Sequence, residues 1–200
     1  MLKQLEPGCP ASATTQIRAA APRPAKFAGA ISKTAEKGEI DCLDAGGFGA
    51  VTITKSITLD CTGEQGSILG TGVNAIVING SNLSVRLRSL NINGATTGQN
   101  GIILVNGGSV SIENTVIDGF ITAVTVNGPA KVLVSNVTIR NNANGITGNT
   151  GAIVHVFGSR IFANGIGIQT AGGGQIISYK NNLIAGNDKD GVPTSSVNPQ

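Results

Sequence analysis

The sequence predicts an all-β fold, a parallel β-helix or β-solenoid, in which each short strand lies on its counterpart one coil later. Two columns of apolar residues predict it. In the first, an isoleucine closes five similar segments spaced roughly 22–25 residues apart: Ile92, Ile117, Ile139, Ile161 and Ile184. The second column recurs at nearly the same period, and its last interval is the shortest: Ile76, Ile102, Val124, Ile146 and Ile166. Such a period favours a coil over a meander, whose strands recur at roughly 8–12 residues.

Each repeat contains three short strands, such as GIILV, SVSIE and TVIDG, which we call its first, second and third strands. None can bury its apolar face alone, whereas coils stacked at ~4.8 Å bury all inward residues in one core. We expect about six coils and a rod of roughly 30 Å. A column of mostly polar residues in the turn after the second strand predicts a ladder of hydrogen bonds along the rod: Ser56, Ser89, Asn114, Asn136, Gly158 and Asn181.

The segments around these repeats are assigned in chain order. Residues 1–26 are rich in Ala, Pro and Thr, which predicts a flexible tail. Residues 27–38 predict a capping helix, since Phe27, Ile31 and Ala35 share one face and Gly38 ends it. The β-helix takes residues 39–187, with VTITKSITLDC (51–61) as an early coil whose Leu59 precedes Ile92 in its column. Residues 188–200 predict a polar C-terminal tail that partly covers the last coil.

Composition excludes several classes of protein. The chain has 200 residues, 40% hydrophobic and 12% charged, which is enough apolar content to build a core. Its 29 glycines follow no collagen-like period, and no apolar run approaches the ~18 residues of a membrane span. The net charge of +3 comes without a run of Lys and Arg, so nucleic acid is not an expected partner.

The three cysteines, Cys9, Cys42 and Cys61, lack the spacing of a zinc site, and the single histidine, His155, lies far along the chain. We therefore expect no metal and no cofactor. Cys42 and Cys61 can pair if their strands stack, but two buried, reduced thiols explain the sequence equally well.

The coil period, its three strands and the asparagine after the second strand resemble the right-handed parallel β-helix of the pectate-lyase-like superfamily. The start also resembles it, since a helix with Phe27 and Ile31 leads into KGEIDCLDAGGFGAVTITKSITLDC. The chain is similar in particular to small bacterial β-helix repeat proteins of unassigned activity. The resemblance covers residues 27–187 and implies a right-handed coil and an extracellular or cell-surface location. Residues 1–26 hold no apolar export signal, so we expect a truncated or altered start.

Pectate lyases, the resemblance implies, hold Ca²⁺ with clustered acids on the first-strand face, where this chain offers no carboxylate, Arg or Lys. Asp60 and Asp118 are candidates for a glycosidase pair, since they fall in one outward third-strand column ~10 Å apart. The alternative is a solvated face with an Asp118–Arg140 ion pair. His155 shares a column with Ser178, but no acid lies there to orient it, so a surface histidine is the alternative.

A binding surface is the other candidate. Amides and hydroxyls recur on the first-strand face at coil spacing, in a set that we call the shelf: Asn79, Thr125, Asn127, Thr147, Asn149 and Gln169. The shelf suits the hydroxyls of a polysaccharide; the alternative is that outward positions are polar only for solubility. Phe157 and Phe162 are expected to point outward and Tyr179 inward. An ice-binding β-solenoid is a second alternative, but its surface would need a stacked Thr-x-Thr motif, and the chain offers Thr125 and Thr147 singly.

These observations predict a non-catalytic β-helix repeat protein that serves as a surface scaffold or a weak carbohydrate-binding module. The alternative is a polysaccharide lyase or glycoside hydrolase. An oligomer through the ends of the rod or a side face is compatible with the pattern, because strand edges at the ends are unpaired.

Overall fold

The computed structural model describes residues 14–18 and 25–198, and Cys9 lies outside them. The strands pair in parallel throughout these residues and form two sheets of nine and eleven strands. The prediction of an all-β parallel solenoid is confirmed. The nine-stranded sheet steps from one coil to the next eight times, so the chain makes about eight turns and not the predicted six.

The second strands form the nine-stranded sheet, which we call the second-strand sheet. Its strands, in spatial order, are β1 (Thr14–Ile17), β2 (Glu39–Cys42), β5 (Ile57–Asp60), β8 (Leu83–Arg88), β10 (Gly108–Glu113), β12 (Ala130–Ser135), β15 (Ile153–Phe157), β18 (Gln175–Ser178) and β20 (Ser195–Ser196). Parts of both predicted tails are therefore strands, since Thr14–Ile17 open this sheet and Ser195–Ser196 close it.

The eleven-stranded sheet has two arms, because its two longest strands turn a corner of the coil and belong to both. The third-strand arm contains β3 (Gly46–Gly47), β6 (Gly66–Leu69), β9 (Leu90–Leu104), β11 (Val116–Val126), β13 (Thr138–Arg140), β16 (Arg160–Phe162) and β19 (Leu183–Ile184). The first-strand arm contains β4 (Val51–Ile53), β7 (Ile76–Ile78), the later parts of β9 and β11, β14 (Asn144–Gly148) and β17 (Ile166–Thr170).

The register confirms the first apolar column, because each of the five isoleucines lies on its counterpart in the next coil. The first four, from Ile92 to Ile161, are fully buried. The second column holds from Ile76 to Ile146, but its last member is wrong. Ile146 lies on Ile168, and Ile166 lies on Asn144. The coil that leads to Ile168 is as long as the one before it, so the shorter interval to Ile166 came from choosing an earlier residue of the same strand.

The early coil at 51–61 is also placed differently from the prediction. Val51–Ile53 is a first strand that lies on β7, and Ile57–Asp60 is a second strand that lies on β8. Leu59 therefore stacks on Leu87, whereas Ile68 is the residue that lies on Ile92. The segment contains two strands of a coil with longer turns, which the alignment had merged.

Helix α1 (Phe27–Lys33) is shorter than the predicted 27–38. Thr34 ends it with an extended backbone, and its hydroxyl donates to the Ala30 carbonyl at 2.9 Å. Ala35 is consequently exposed instead of extending the apolar face. Phe27 is fully buried with its ring centroid 5.1 Å from that of Phe48, so the helix packs on the core at the first coils.

Inward side chains from all three strand sets form one continuous core. Near its start Cys42 and Cys61 are joined by a disulfide, which decides between the two alternatives left by the sequence. Both half-cystines are buried. Residue 66 must be glycine beside them, because a Cβ there would overlap the sulfur of Cys61.

Candidate functional site

The shelf lies on the outer side of the first-strand arm, where its members are bonded to one another or to neighbouring asparagines. Thr125, Thr147 and Gln169 occupy consecutive rungs. The Gln169 amide donates to the Thr147 hydroxyl at 3.1 Å, and the Thr125 hydroxyl donates to the side-chain oxygen of Asn100 at 2.6 Å. These polar groups are therefore engaged along the rod.

The asparagines of the shelf are engaged in the same way. Asn149 donates its amide to the side-chain oxygen of Asn127 at 2.7 Å, and Asn79 accepts from Asn106 at 2.7 Å. Each such pair consumes a donor and an acceptor that a ligand would otherwise meet. As a binding site the shelf stays a prediction, although its geometry favours a structural ladder.

The prediction that Asp60 and Asp118 share a column is wrong. Asp60 ends β5 in the second-strand sheet, where it lies beside Arg88. Asp118 lies on the third-strand arm, between Asn93 and Arg140. The cause is the misplaced early coil, which moved Asp60 from one strand set to another. The expected ion pair is present, with Arg140 Nε 2.9 Å from Asp118 Oδ2.

The pairing of His155 with Ser178 is wrong by one residue. His155 lies beside Ile177, and Ser178 is buried on the inward side above Val156. A slip of one residue exchanges the two faces of a strand. The coil gains one residue between Ser178 and Ile184, so the extra residue sits in the turn that joins their strands. Because of the same slip, the prediction that Tyr179 points inward is also wrong. Its side chain points outward, and its hydroxyl lies 3.3 Å from His155 Nδ1.

The outer face of the second-strand sheet carries a concentration of charge that the sequence did not reveal. We call its first part the charged half: Glu39, Asp41, Asp60, Arg86, Arg88 and Glu113. Arg88 Nη1 lies 2.8 Å from Asp60 Oδ2, and its Nε lies 3.4 Å from Glu113 Oε2. Arg88 thus pairs with acids on both neighbouring coils, Asp60 on one side and Glu113 on the other.

Glu39 and Asp41 were missed as members of this face. Burial raises the pKa of the Glu39 carboxyl, and the neighbouring Asp41 raises it further. The signal was available in the segment EIDC, which alternates polar and apolar residues as a half-buried strand does. Its acids fall in line with Thr58 and Asp60 of the next coil.

An open groove of about 690 Å³ follows the charged half along the rod. Pockets of this size commonly hold small molecules or single units of a polymer. Its polar lining includes three cations, one acid, one histidine and several hydroxyls: Lys37, Arg86, Lys131, Glu113, His155, Ser84, Ser109 and Ser111. Within the described part of the chain, the Ser84 and Ser109 hydroxyls and the Lys131 ammonium form no hydrogen bond or ion pair.

The later part of the same face is apolar and aromatic, and we call it the aromatic half: Leu133, His155, Phe157 and Tyr179. Phe157 and Tyr179 meet edge to face with ring centroids 5.9 Å apart. His155 belongs to both regions, because it lines the groove and its ring centroid lies 5.9 Å from that of Tyr179. A polar groove therefore ends on a small platform of rings.

A family model described as a right handed beta helix region matches residues 74–198, more than half of the chain. The chain belongs to the right-handed β-helix family. The right-handed coil that the resemblance implied is thereby confirmed. No curated protein matches the chain.

The predicted turn ladder of this β-helix is present in part. Asn136 donates to Asn114 at 2.7 Å, and the Gly158 N–H donates to the side chain of Asn181 at 3.0 Å. Ser56 is not a member. It is buried before β5, where its hydroxyl accepts a backbone N–H of the next coil.

A second ladder runs inside the β-helix, through Asn142, Asn164 and Asn187 to Asp190. Each side-chain oxygen accepts the backbone N–H and the amide of the preceding member of the ladder, at 2.8–3.1 Å. Asn142 and Asn164 are buried. Sequence reasoning missed this ladder, although the three asparagines close aligned segments at the period of the coil.

No group of three or more His, Cys, Asp or Glu side chains is arranged to hold a metal ion among the residues described. Helix α1, the one helix among the described residues, is not long and apolar enough to cross a membrane.

Proposed function

We propose that this β-helix is a non-catalytic carbohydrate-binding protein, and that it holds an acidic polysaccharide along the groove of the second-strand sheet. One observation carries the proposal. Among the residues that the structure describes, the groove presents a cation and hydroxyls that have no partner, namely Lys131, Ser84 and Ser109, whereas the shelf is bonded to itself and to neighbouring asparagines. Ser84, Ser109 and Lys131 occupy consecutive rungs, so they repeat at about the 4.8 Å coil spacing.

Charge favours an acidic polymer over a neutral one. Among the described residues, Lys37, Arg86 and Lys131 line the groove together with one carboxylate, that of Glu113. That carboxylate lies 3.7 Å from Arg86 Nε and also accepts the Ser111 hydroxyl. The free cations thus outnumber the free acids, and they attract uronate or sulfate groups.

The same lining supports a binding protein over an enzyme. Glycoside hydrolysis normally takes two carboxyl groups that flank the bond to be cleaved. Of the carboxylates in the described ranges, only Glu113 lines the groove, and arginines on two sides hold it as an acceptor. The buried Cys42–Cys61 disulfide supports a location outside the cytosol, where such bonds persist.

Affinity electrophoresis tests the proposal with pairs of polymers that differ in charge, such as polygalacturonate or alginate against dextran or hydroxyethyl cellulose. We expect the acidic polymers to retard the chain. Lys131→Ala should lose this retardation, whereas Lys33→Ala, which removes an equal charge from helix α1, should keep it. Thr147→Ala, on the shelf, should also keep it.

Two results would overturn the proposal. In one, none of the polymers retards the wild-type chain. In the other, the Lys131 and Lys33 variants behave alike, which would reduce the effect to net charge. Loss of retardation in Thr147→Ala alone would transfer the site to the shelf.

A second candidate function is polysaccharide cleavage, which the Glu39 carboxyl favours. Its raised pKa makes it a better proton donor near neutral pH, and Asp41 and Asp60 share its face. Release of reducing ends or unsaturated products, with and without Ca²⁺, tests this. Turnover that Glu39→Gln or Asp60→Asn abolishes would replace binding by catalysis, and no turnover by the wild-type chain would exclude cleavage of the polymers used.

A further inference from the structure

The aromatic half lies where the groove ends, and its rings are held in a fixed arrangement. Phe157 follows Ser135 in one column, and the Tyr179 N–H donates to the Val156 carbonyl, which places Tyr179 one rung beyond Phe157. Besides the edge-to-face ring contact, the Tyr179 hydroxyl lies 3.3 Å from His155 Nδ1. Because these contacts already hold the rings in place, little further side-chain entropy is lost when a ligand binds.

Phe157 stays 40% exposed in this arrangement, and Leu133 beside His155 is 39% exposed. Of the large hydrophobic side chains exposed in the described ranges, Phe157 is the only aromatic one. The others are aliphatic and lie on several different surfaces. An exposed ring that is braced by its neighbours and adjoins a polar groove is a suitable contact for a ligand with both apolar and polar faces.

We propose that Phe157 and Tyr179 form a stacking platform for one sugar unit of the polymer. This inference rests on the proposed function. The C–H face of the sugar packs on the Phe157 ring, and its hydroxyls meet His155 and the Tyr179 hydroxyl. Lys131 and Arg86, earlier along the groove, contact the acidic groups of the preceding units. The charge of the groove and its continuity through His155 determine this occupant.

The composition of the chain provides a direct reporter. It contains one Tyr and no Trp, so its near-ultraviolet fluorescence arises from the Tyr179 ring. We expect titration with oligogalacturonate or oligoalginate to change this fluorescence saturably, with the same midpoint that affinity electrophoresis gives. A ligand held only by the cations of the groove would leave the emission of Tyr179 unchanged.

Three variants test the platform. Phe157→Ala should weaken binding about five- to ten-fold, and Phe157→Leu, which stays apolar but loses the planar ring, should recover only part of it. Phe162→Ala, on the third-strand arm, should bind as the wild type does. Thermal unfolding of each variant shows that it is folded at the temperature of the titration.

The outcomes separate this inference from the function on which it rests. If Lys131→Ala loses binding while Phe157→Ala keeps it and the fluorescence stays constant at saturation, the platform is wrong and the groove stands. If no acidic polymer binds the wild-type chain, both are overturned. Equal losses in Phe157→Ala and Phe162→Ala would also contradict the platform, because they would show a general effect of removing a ring.

Discussion

Two surfaces of this β-helix carry outward polar residues and differ in what those residues contact. On the first-strand arm, amides and hydroxyls recur at the same place in successive coils, and they bond to one another along the rod. On the second-strand sheet, the residue type changes from rung to rung, from Ser109 to Lys131 and from Arg86 to Ser111 and Leu133. Polar residues that repeat from coil to coil therefore bond to one another, whereas residues that change from rung to rung leave side chains available for a ligand.

The internal asparagine ladder is the extreme of the repetitive kind, so breaking it should produce the largest loss of stability. In Asn164→Ala, the Asn142 N–H loses its side-chain acceptor, the Asn142 amide loses one of its acceptors, and the Ile139 carbonyl loses a donor. Each buried polar group without a partner costs roughly 1–3 kcal/mol, so we expect a loss of about 3–5 kcal/mol. Urea denaturation followed by circular dichroism measures it.

Asn149→Ala is the matched control, because it removes an asparagine from the shelf, where water replaces the lost partner. It should cost about 0.5–1 kcal/mol. Equal losses in the two variants would contradict the distinction between the buried ladder and the shelf. Neither variant should change binding in the groove, since neither residue lines it.

The charged half should give a smaller effect that depends on pH. Arg88→Met removes the partner of Asp60, whose side chain is only 14% exposed, and a partner of Glu113. It leaves Asp60 and the acids of β2 without a neutralising cation. We expect a loss of about 1–2 kcal/mol at pH 7, measured by urea denaturation, that shrinks as the carboxyls protonate in acid.

Arg140→Met provides the comparison, because its ion pair with Asp118 has the same geometry but is more exposed. An exposed pair contributes roughly 0.2–1 kcal/mol, so this variant should lose less than half as much. A larger loss in Arg140→Met than in Arg88→Met would mean that the charged half is not a stabilising network.

The fold could be predicted from the sequence because a solenoid repeats one local pattern. The two apolar columns predict the period and the order of the later coils, and the segments between turns predict the three strand sets. Where a turn gained a residue, as after Ser178, the alignment slipped and the two faces were exchanged. Where turns lengthened, as between Val51 and Ile68, a whole strand was assigned to the wrong set.

The candidate site was harder to predict for the same reason. Repeated residues are the ones that stand out in the sequence, and these form the shelf. The groove instead combines outward residues whose types differ from one strand to the next. Which of these residues lie side by side depends on the register of every rung. Placing Ser178 beside His155, and turning Tyr179 inward, are errors of a single position, yet they decide which side chains meet.

At the end of the internal ladder, a carboxylate takes the place of the next asparagine. Asp190 accepts the amide and the N–H of Asn187, and these hydrogen bonds hold the pKa of its carboxyl below the ordinary 3.8. The folded chain therefore binds this proton less readily than the unfolded chain. The stabilisation is complete above the ordinary value and is lost as the pH falls through the lowered one.

Hydrogen exchange of the Asn187 amide at a series of acidic pH values measures this local contribution, after correction for the intrinsic rate. Protection should fall as Asp190 gains its proton. In Asp190→Ala it should be low at every pH, whereas Asp188→Ala, which removes an exposed neighbouring acid, should follow the wild type. Because Asp190 is only partly buried, global unfolding should change little, and the effect should stay within the segment that covers the last coil. Protection that is independent of pH in the wild-type chain would show that the backbone bonds of residues 188–197 hold this end without the carboxylate.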